Sequence, residues 1–115
     1  MDTASLLIRA MAEECRGLIL EWNGPDLDLP EALQPKSLER MCDRIEKHAE
    51  DWSTAKLHRW IGFVQCAMMA NRILDLDGIK AMFDKTKNAY GEASEDLLDH
   101  LDPKDYFEFD IGGEG

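Results

Sequence analysis

The chain has 115 residues, of which 24 are acidic and 13 basic, so its formal net charge is −11 at pH 7. This length is enough for one domain with a small hydrophobic core, and the 44% hydrophobic content argues against wholesale disorder. Because an excess of negative charge repels phosphate, we expect no direct binding of nucleic acid and no attachment to an anionic membrane surface.

The first two predicted helices are marked by apolar residues at steps of three and four. Thr3 is predicted to cap the first helix, Asn23-Gly24-Pro25 to end it, and the loop up to Pro35 to contain one turn at residues 31–33. Pro35 is predicted to open the second helix. The apolar faces are Ala4, Ile8, Met11, Cys15, Leu18 and Trp22 in the first helix, and Leu38, Met41, Cys42, Ile45, Ala49 and Trp52 in the second.

The third predicted helix is capped by Ser53 or Thr54 and runs to about Leu74. Between residues 60 and 70 it has no ionisable side chain other than Cys66. A helix that is apolar all round is buried, so we expect this one to be central. The apolar stretch is too short to cross a bilayer.

The fourth predicted helix follows the cap-like sequence at residues 75–78 and stops at Gly91. Its apolar residues are Ile79, Met82, Phe83 and Tyr90, and a last short helix with Ser94 as its cap would carry Leu97, Leu98 and Leu101. The predicted fold is therefore all-α: a compact bundle of four main helices with a central apolar third helix in residues 1–101, followed by an acidic, partly flexible tail in residues 102–115.

Most of the charge excess lies at the C-terminal end, since residues 92–115 hold nine acidic and one basic side chain, a net charge of −8. Within this region, apolar and acidic side chains largely alternate through Tyr106, Phe107, Glu108, Phe109, Asp110 and Ile111. One interpretation is a linear motif that docks on a partner with a basic surface, and another is a negative surface that imitates a phosphate backbone. A third is a solubilising segment whose aromatic side chains fold back on the bundle.

No residue pattern for catalysis, a cofactor or a metal is present. His48, His58 and His100 lie in no catalytic or zinc-binding motif, and no phosphate-binding glycine loop occurs. We therefore predict no catalytic residue, no cofactor and no bound metal.

Cysteine usage and the N-terminal residues indicate the compartment. Cys15, Cys42 and Cys66 are odd in number and widely spaced, so we expect no disulfide, and each is placed on a buried helix face. The first residues lack the basic region of a signal peptide, and no span long enough for a membrane follows. The predicted location is a reducing cytoplasm.

Three further features have both a structural and a functional interpretation. Gln65, an amide in the apolar third helix, is expected to be a buried core amide bonded to a loop backbone rather than a ligand contact. The three tryptophans are expected to pack in the core. Lys56, His58 and Arg59 form a small cationic cluster, which we expect to pair with the acidic tail or with residues 50–51.

The run Arg59-Trp60-Ile61-Gly62-Phe63-Val64-Gln65, followed by a hinge and an amphipathic helix, resembles small proteins encoded by tailed bacteriophages and prophages. In those proteins an RW-[IL]-GF-[VI]-Q segment recurs. The resemblance covers about residues 54–90. It implies a phage or prophage setting and a small accessory or regulatory protein, and it transfers no catalytic residue.

The sequence thus favours a non-enzymatic protein that acts through protein–protein interaction, with residues 106–111 as the predicted partner-binding segment. Two alternatives remain open: an acidic nucleic-acid mimic that inhibits a DNA-binding host protein, and a helical enzyme with a site that no motif marks. Homodimerisation also remains open, because the apolar stripe of the first helix could be buried within or between chains.

Overall fold

The computed structural model describes residues 2–90, which form four α-helices and one short 3₁₀ turn. These are α1 (Thr3–Glu21), the 3₁₀ turn (Glu31–Leu33), α2 (Pro35–Lys47), α3 (Thr54–Ala70) and α4 (Leu76–Tyr90). No strand occurs within these residues, so the predicted all-α bundle of four helices is confirmed. The predicted short helix at residues 94–101 and the tail lie outside the described residues.

Helix α1 packs against each of the other three helices, and α2 also packs against α3. One core results, built from the inward faces of all four helices. Its fully buried larger side chains are Leu7, Ile8, Met11, Leu38, Ile45, Leu57, Ile61, Val64, Gln65, Met68 and Ile79. None of the helices within residues 2–90 is long and apolar enough to cross a membrane.

The cap of α1 is Asp2, whereas the sequence predicted Thr3. The backbone N–H of Ser5 donates to Asp2 Oδ1 at 2.8 Å, and Thr3 is the first helical residue. An aspartate carboxylate is a good acceptor for a free N–H in the first turn and also favours the positive end of the helix dipole. The prediction was therefore wrong by one residue.

Helix α3 is capped by Ser53, one of the two predicted residues, but it ends at Ala70 rather than near Leu74. Arg72 takes the left-handed backbone conformation with φ of 63°, and its N–H donates to the carbonyl of Met69. The N–H of Ile73 then donates to the carbonyl of Met68 at 2.9 Å. This pair of bonds is the Schellman ending, which is usually made with glycine, so sequence alone gave no sign of it.

The predicted helix caps of α2 and α4 are close to those observed. Pro35 opens α2 as predicted, and α2 ends at Lys47, so Ala49 and Trp52 reach the core from the turn that follows rather than from the helix. Asp75 Oδ1 accepts from the N–H of Gly78 at 2.8 Å and caps α4, which begins at Leu76.

The interpretation of α3 as buried on all sides is wrong. Its core face is fully buried at Leu57, Ile61 and Val64, but 42% of Phe63 is exposed and Cys66 is exposed as well. The physical reason is that α1 and α2 cover only part of the circumference of α3. An apolar surface consequently remains on its outer side.

Truncating Ile8 on α1 should destabilise the fold far more than truncating Leu20 on the same helix. Ile8 is fully buried and Leu20 is 56% exposed. We expect Ile8→Ala to lower the free energy of unfolding by about 2–5 kcal/mol, because it leaves a cavity in the core, and Leu20→Ala by less than about 1 kcal/mol. Urea denaturation followed by circular dichroism measures both, and equal losses would contradict the assignment of the core.

Candidate interaction surface

An aromatic stack lies where α2 turns into α3. The ring of His48 stacks on Trp52 at 4.8 Å between centroids with an interplanar angle of 6°, and Trp52 contacts Trp60 at 4.6 Å and 57°. The turn holds this arrangement, because the backbone N–H of Trp52 donates to the carbonyl of His48 at 2.9 Å. Both tryptophans are half-buried and pack against the core from its edge.

Two cations lie on the faces of these indoles. The Arg44 guanidinium is 5.7 Å from the Trp52 ring centroid and 5.6 Å from that of Trp60, and Lys56 Nζ is 4.0 Å from the Trp52 centroid. Such contacts are worth about 0.5–1 kcal/mol each at exposed sites. They hold two long, otherwise mobile side chains close to the protein surface.

Beside the stack lies an apolar groove of about 280 Å³, lined by Met41, Arg59, Trp60 and Phe63. We call it the α2–α3 groove. Phe63 and Leu20 are the exposed large apolar side chains within the described residues, and they lie on different helices. The groove therefore combines an exposed aromatic ring, a half-buried indole and a flexible methionine with a cation at its edge.

The three residues of the predicted cationic cluster lie in different surroundings. Lys56 covers the Trp52 ring, Arg59 lines the groove, and His58 is half-buried. Asp51 instead pairs with His48, whose Nδ1 lies 3.0 Å from Asp51 Oδ2. Of the two predicted partners of the cluster, residues 50–51 are wrong for Lys56 and Arg59, because within residues 2–90 neither has a carboxylate within 4.0 Å. The other predicted partner, the acidic tail, lies outside the described residues.

The sequence contains a pattern that marks this surface, although the pattern belongs to no catalytic or metal-binding motif. A cation, a histidine or a tryptophan occurs at every fourth position from residue 44 to residue 60: Arg44, His48, Trp52, Lys56 and Trp60. Residues four apart meet on a helix, and here the series continues across a turn, so the contact is made between two helices instead of along one.

The predicted position of Gln65 in the core is confirmed, and its predicted bond to a loop backbone stays a prediction. Gln65 is fully buried, and its amide nitrogen lies 3.8 Å from Met11 Sδ and 3.9 Å from Met82 Sδ. It thus joins α1, α3 and α4 and faces neither the α2–α3 groove nor any other surface. The predicted partner-binding segment, residues 106–111, and His100 lie outside the described residues.

A second groove, of about 510 Å³, lies at the other end of α3, between Trp22, the loop at residues 24–29 and Asn71. Asn71 is buried there, and its amide nitrogen donates to the carbonyls of Leu33 at 2.7 Å and Ala67 at 2.8 Å. These bonds tie the 3₁₀ turn to the end of α3. The amide of Asn71, one of several polar groups that line this groove, is therefore already used by the fold.

The cysteines differ from one another in burial. Cys15 and Cys42 are buried as predicted, but Cys66 is exposed, so its predicted core position is wrong. Burial raises the pKa of the Cys15 thiol well above its ordinary value of 9.0, and it raises the pKa of Cys42 to about 12. Both thiols stay protonated at neutral pH and pack as small apolar groups.

Within residues 2–90, no three His, Cys, Asp or Glu side chains converge in a way that could hold a metal ion. Comparison with known proteins adds no further assignment, because no protein-family model, curated protein or solved structure matches the chain. The α2–α3 groove with its adjoining aromatic and cationic side chains is the candidate site.

The raised pKa of Cys42 predicts a loss of stability at alkaline pH. The thiol binds its proton more tightly in the folded than in the unfolded chain, so its contribution to stability is complete below about pH 9 and is lost as the pH rises from 9 toward 12. The difference in free energy of unfolding between the native chain and Cys42→Ala should therefore narrow over this range. The matched control is Ile45→Val on the same helix, whose difference from the native chain should not change with pH. A Cys42→Ala difference that also stays constant would contradict the prediction.

Proposed function

We propose that this protein is a small non-enzymatic accessory or regulatory protein that binds another protein through the α2–α3 groove. The observation that carries the proposal is an exposed Phe63 beside the half-buried Trp60 in a groove edged by Arg59. Tryptophan and arginine are the residues that most often dominate the energy of protein interfaces.

The arrangement of the cations supports a binding surface for protein. Arg44 and Lys56 are held on indole faces, so less side-chain freedom is lost when a partner's carboxylate meets them. The apolar groove would supply the desolvated centre of the contact, and the cations would form its polar edge. A partner segment that combines an aromatic or aliphatic side chain with carboxylates fits this surface.

The phage or prophage setting is part of the same proposal. Three residues of the segment that resembles phage proteins, Arg59, Trp60 and Phe63, line the α2–α3 groove, while Ile61, Val64 and Gln65 are buried in the core. The segment therefore serves the fold on one face and the proposed binding surface on the other. We propose that the protein acts in the cytoplasm of a bacterial host.

Affinity capture from a bacterial lysate tests the function. We expect the native chain to retain a specific partner that Phe63→Asp does not retain, because a carboxylate in the groove desolvates poorly and repels an acidic segment. Leu20→Asp is the matched control, since it places the same charge on the other exposed large apolar residue of the described part, and it should retain the partner.

The identity of the partner would follow from mass spectrometry, and its affinity for purified native and variant chains from calorimetry. If Phe63→Asp and Leu20→Asp retain the same proteins with the same affinity as the native chain, the groove is not the binding surface and the proposal is overturned.

A further inference from the structure

We propose that the α2–α3 groove is occupied by the chain's own segment Tyr106–Ile111. The inference deepens the proposed function, because it names a ligand for the same surface. The segment's alternation of aromatic and acidic side chains calls for a basic surface with an apolar cleft. The structure contains such a surface within the chain itself.

Charge supports this pairing. Arg59, which lines the groove, and Arg44 and Lys56, which lie over the adjoining indoles, have no carboxylate within 4.0 Å among residues 2–90. Residues 92–115 carry a net charge of −8, and Glu108 and Asp110 stand between the apolar residues of the segment. Opposite charges of this kind favour encounter and fix orientation.

The size of the groove favours side chains of a peptide over a free small molecule. Its volume of about 280 Å³ is at the lower limit of small-molecule sites, which measure about 300–1,000 Å³. In an extended peptide, alternate side chains point the same way, and Phe107, Phe109 and Ile111 are spaced in this manner. One or two of them would fill the groove, and the charges of Glu108 and Asp110, which point to the opposite side of an extended segment, would act on the cations over a range of about 8–10 Å.

The stretch of chain between α4 and the segment is long enough to reach the α2–α3 groove. Fifteen residues separate Tyr90, the end of α4, from Tyr106, and an extended chain of that length spans up to about 50 Å. The longest dimension of the described part is 40 Å. Covalent connection over this distance also gives an effective concentration on the order of 1 mM, so a segment of only millimolar affinity would occupy the groove for much of the time.

The test uses the full chain and its three tryptophan indole N–H signals in ¹⁵N correlation spectra. We compare the native chain with the double variant Phe107→Ser and Phe109→Ser. The Trp52 and Trp60 signals should shift, because the aromatic side chains leave the groove. The Trp22 signal should stay, since Trp22 lies at the other end of α3. Unchanged Trp52 and Trp60 signals would overturn the proposal.

Repeating the comparison in two charge-reversal backgrounds distinguishes a direct contact between segment and groove from an indirect effect of the serine substitutions. In an Arg59→Glu background, the two serine substitutions should cause no further shift, because the segment is already repelled. In a Lys36→Glu background, which has the same change in net charge near Trp22, they should cause the full shift. Equal shifts in both backgrounds would overturn the proposal, and circular dichroism confirms that each variant is folded.

Dilution distinguishes the chain's own segment from that of a second copy. The shifts should be independent of protein concentration. A shift that disappears on dilution would show that the segment of a second copy occupies the groove, and it would overturn the intramolecular contact. The NMR samples contain no partner protein, so the two tests are independent. The indole signals can stay unchanged while the groove captures a partner, and they can shift while it captures none. If both proposals are correct, the double serine variant should capture more partner than the native chain.

Discussion

The packing of α1 against the other three helices is the constraint on which the rest of the structure depends. Three consecutive residues of α1 show how this helix contacts its neighbours. Cys15 faces the core and its thiol lies 3.6 Å from Met82 Sδ on α4, while its neighbours reach outward to opposite sides. Arg16 donates two hydrogen bonds to Glu46 on α2, at 2.6 and 3.0 Å, and Glu14 lies 3.5 Å from Lys85 on α4. Such ion pairs near the surface contribute little energy, so the buried apolar stripe of α1 rather than these pairs holds α2 and α4 in place.

The position of α2 and α3 on α1 in turn creates the α2–α3 groove. Both helices bury an apolar face against α1, so within residues 2–90 Phe63 on the outer flank of α3 stays exposed and Met41 on α2 is only half-buried. The short turn between the helices forces Trp52 and Trp60 together at the edge of the core. The aromatic stack is therefore a consequence of the bundle, and the cations over it are placed by the stack.

Periodicity and turn chemistry predicted the four helices, since apolar spacing and residues such as Pro35 and Ser53 act locally. The end of α3 could not be predicted, because it depends on Arg72 adopting a backbone conformation that usually requires glycine. The exposure of Phe63 could not be predicted either. An apolar run of this length indicates burial, but how much of a helix its neighbours cover depends on the crossing of all four helices. The cation–aromatic contacts depend on the fold as well, because they join residues of α2, the turn and α3.

The distribution of charge along the chain determines which ligands the α2–α3 groove attracts. A net charge of −11 first argues against acidic partners for the chain as a whole. Residues 2–90, however, hold 15 acidic and 12 basic side chains, and in this part Arg44, Lys56 and Arg59 each have no carboxylate within 4.0 Å. Since screening limits exposed charges to a range of about 8–10 Å, a ligand at the groove responds to these three cations more than to the total. A surface that attracts acidic segments can thus belong to a strongly acidic protein, and the acidic, aromatic segment held at the highest effective concentration is the chain's own.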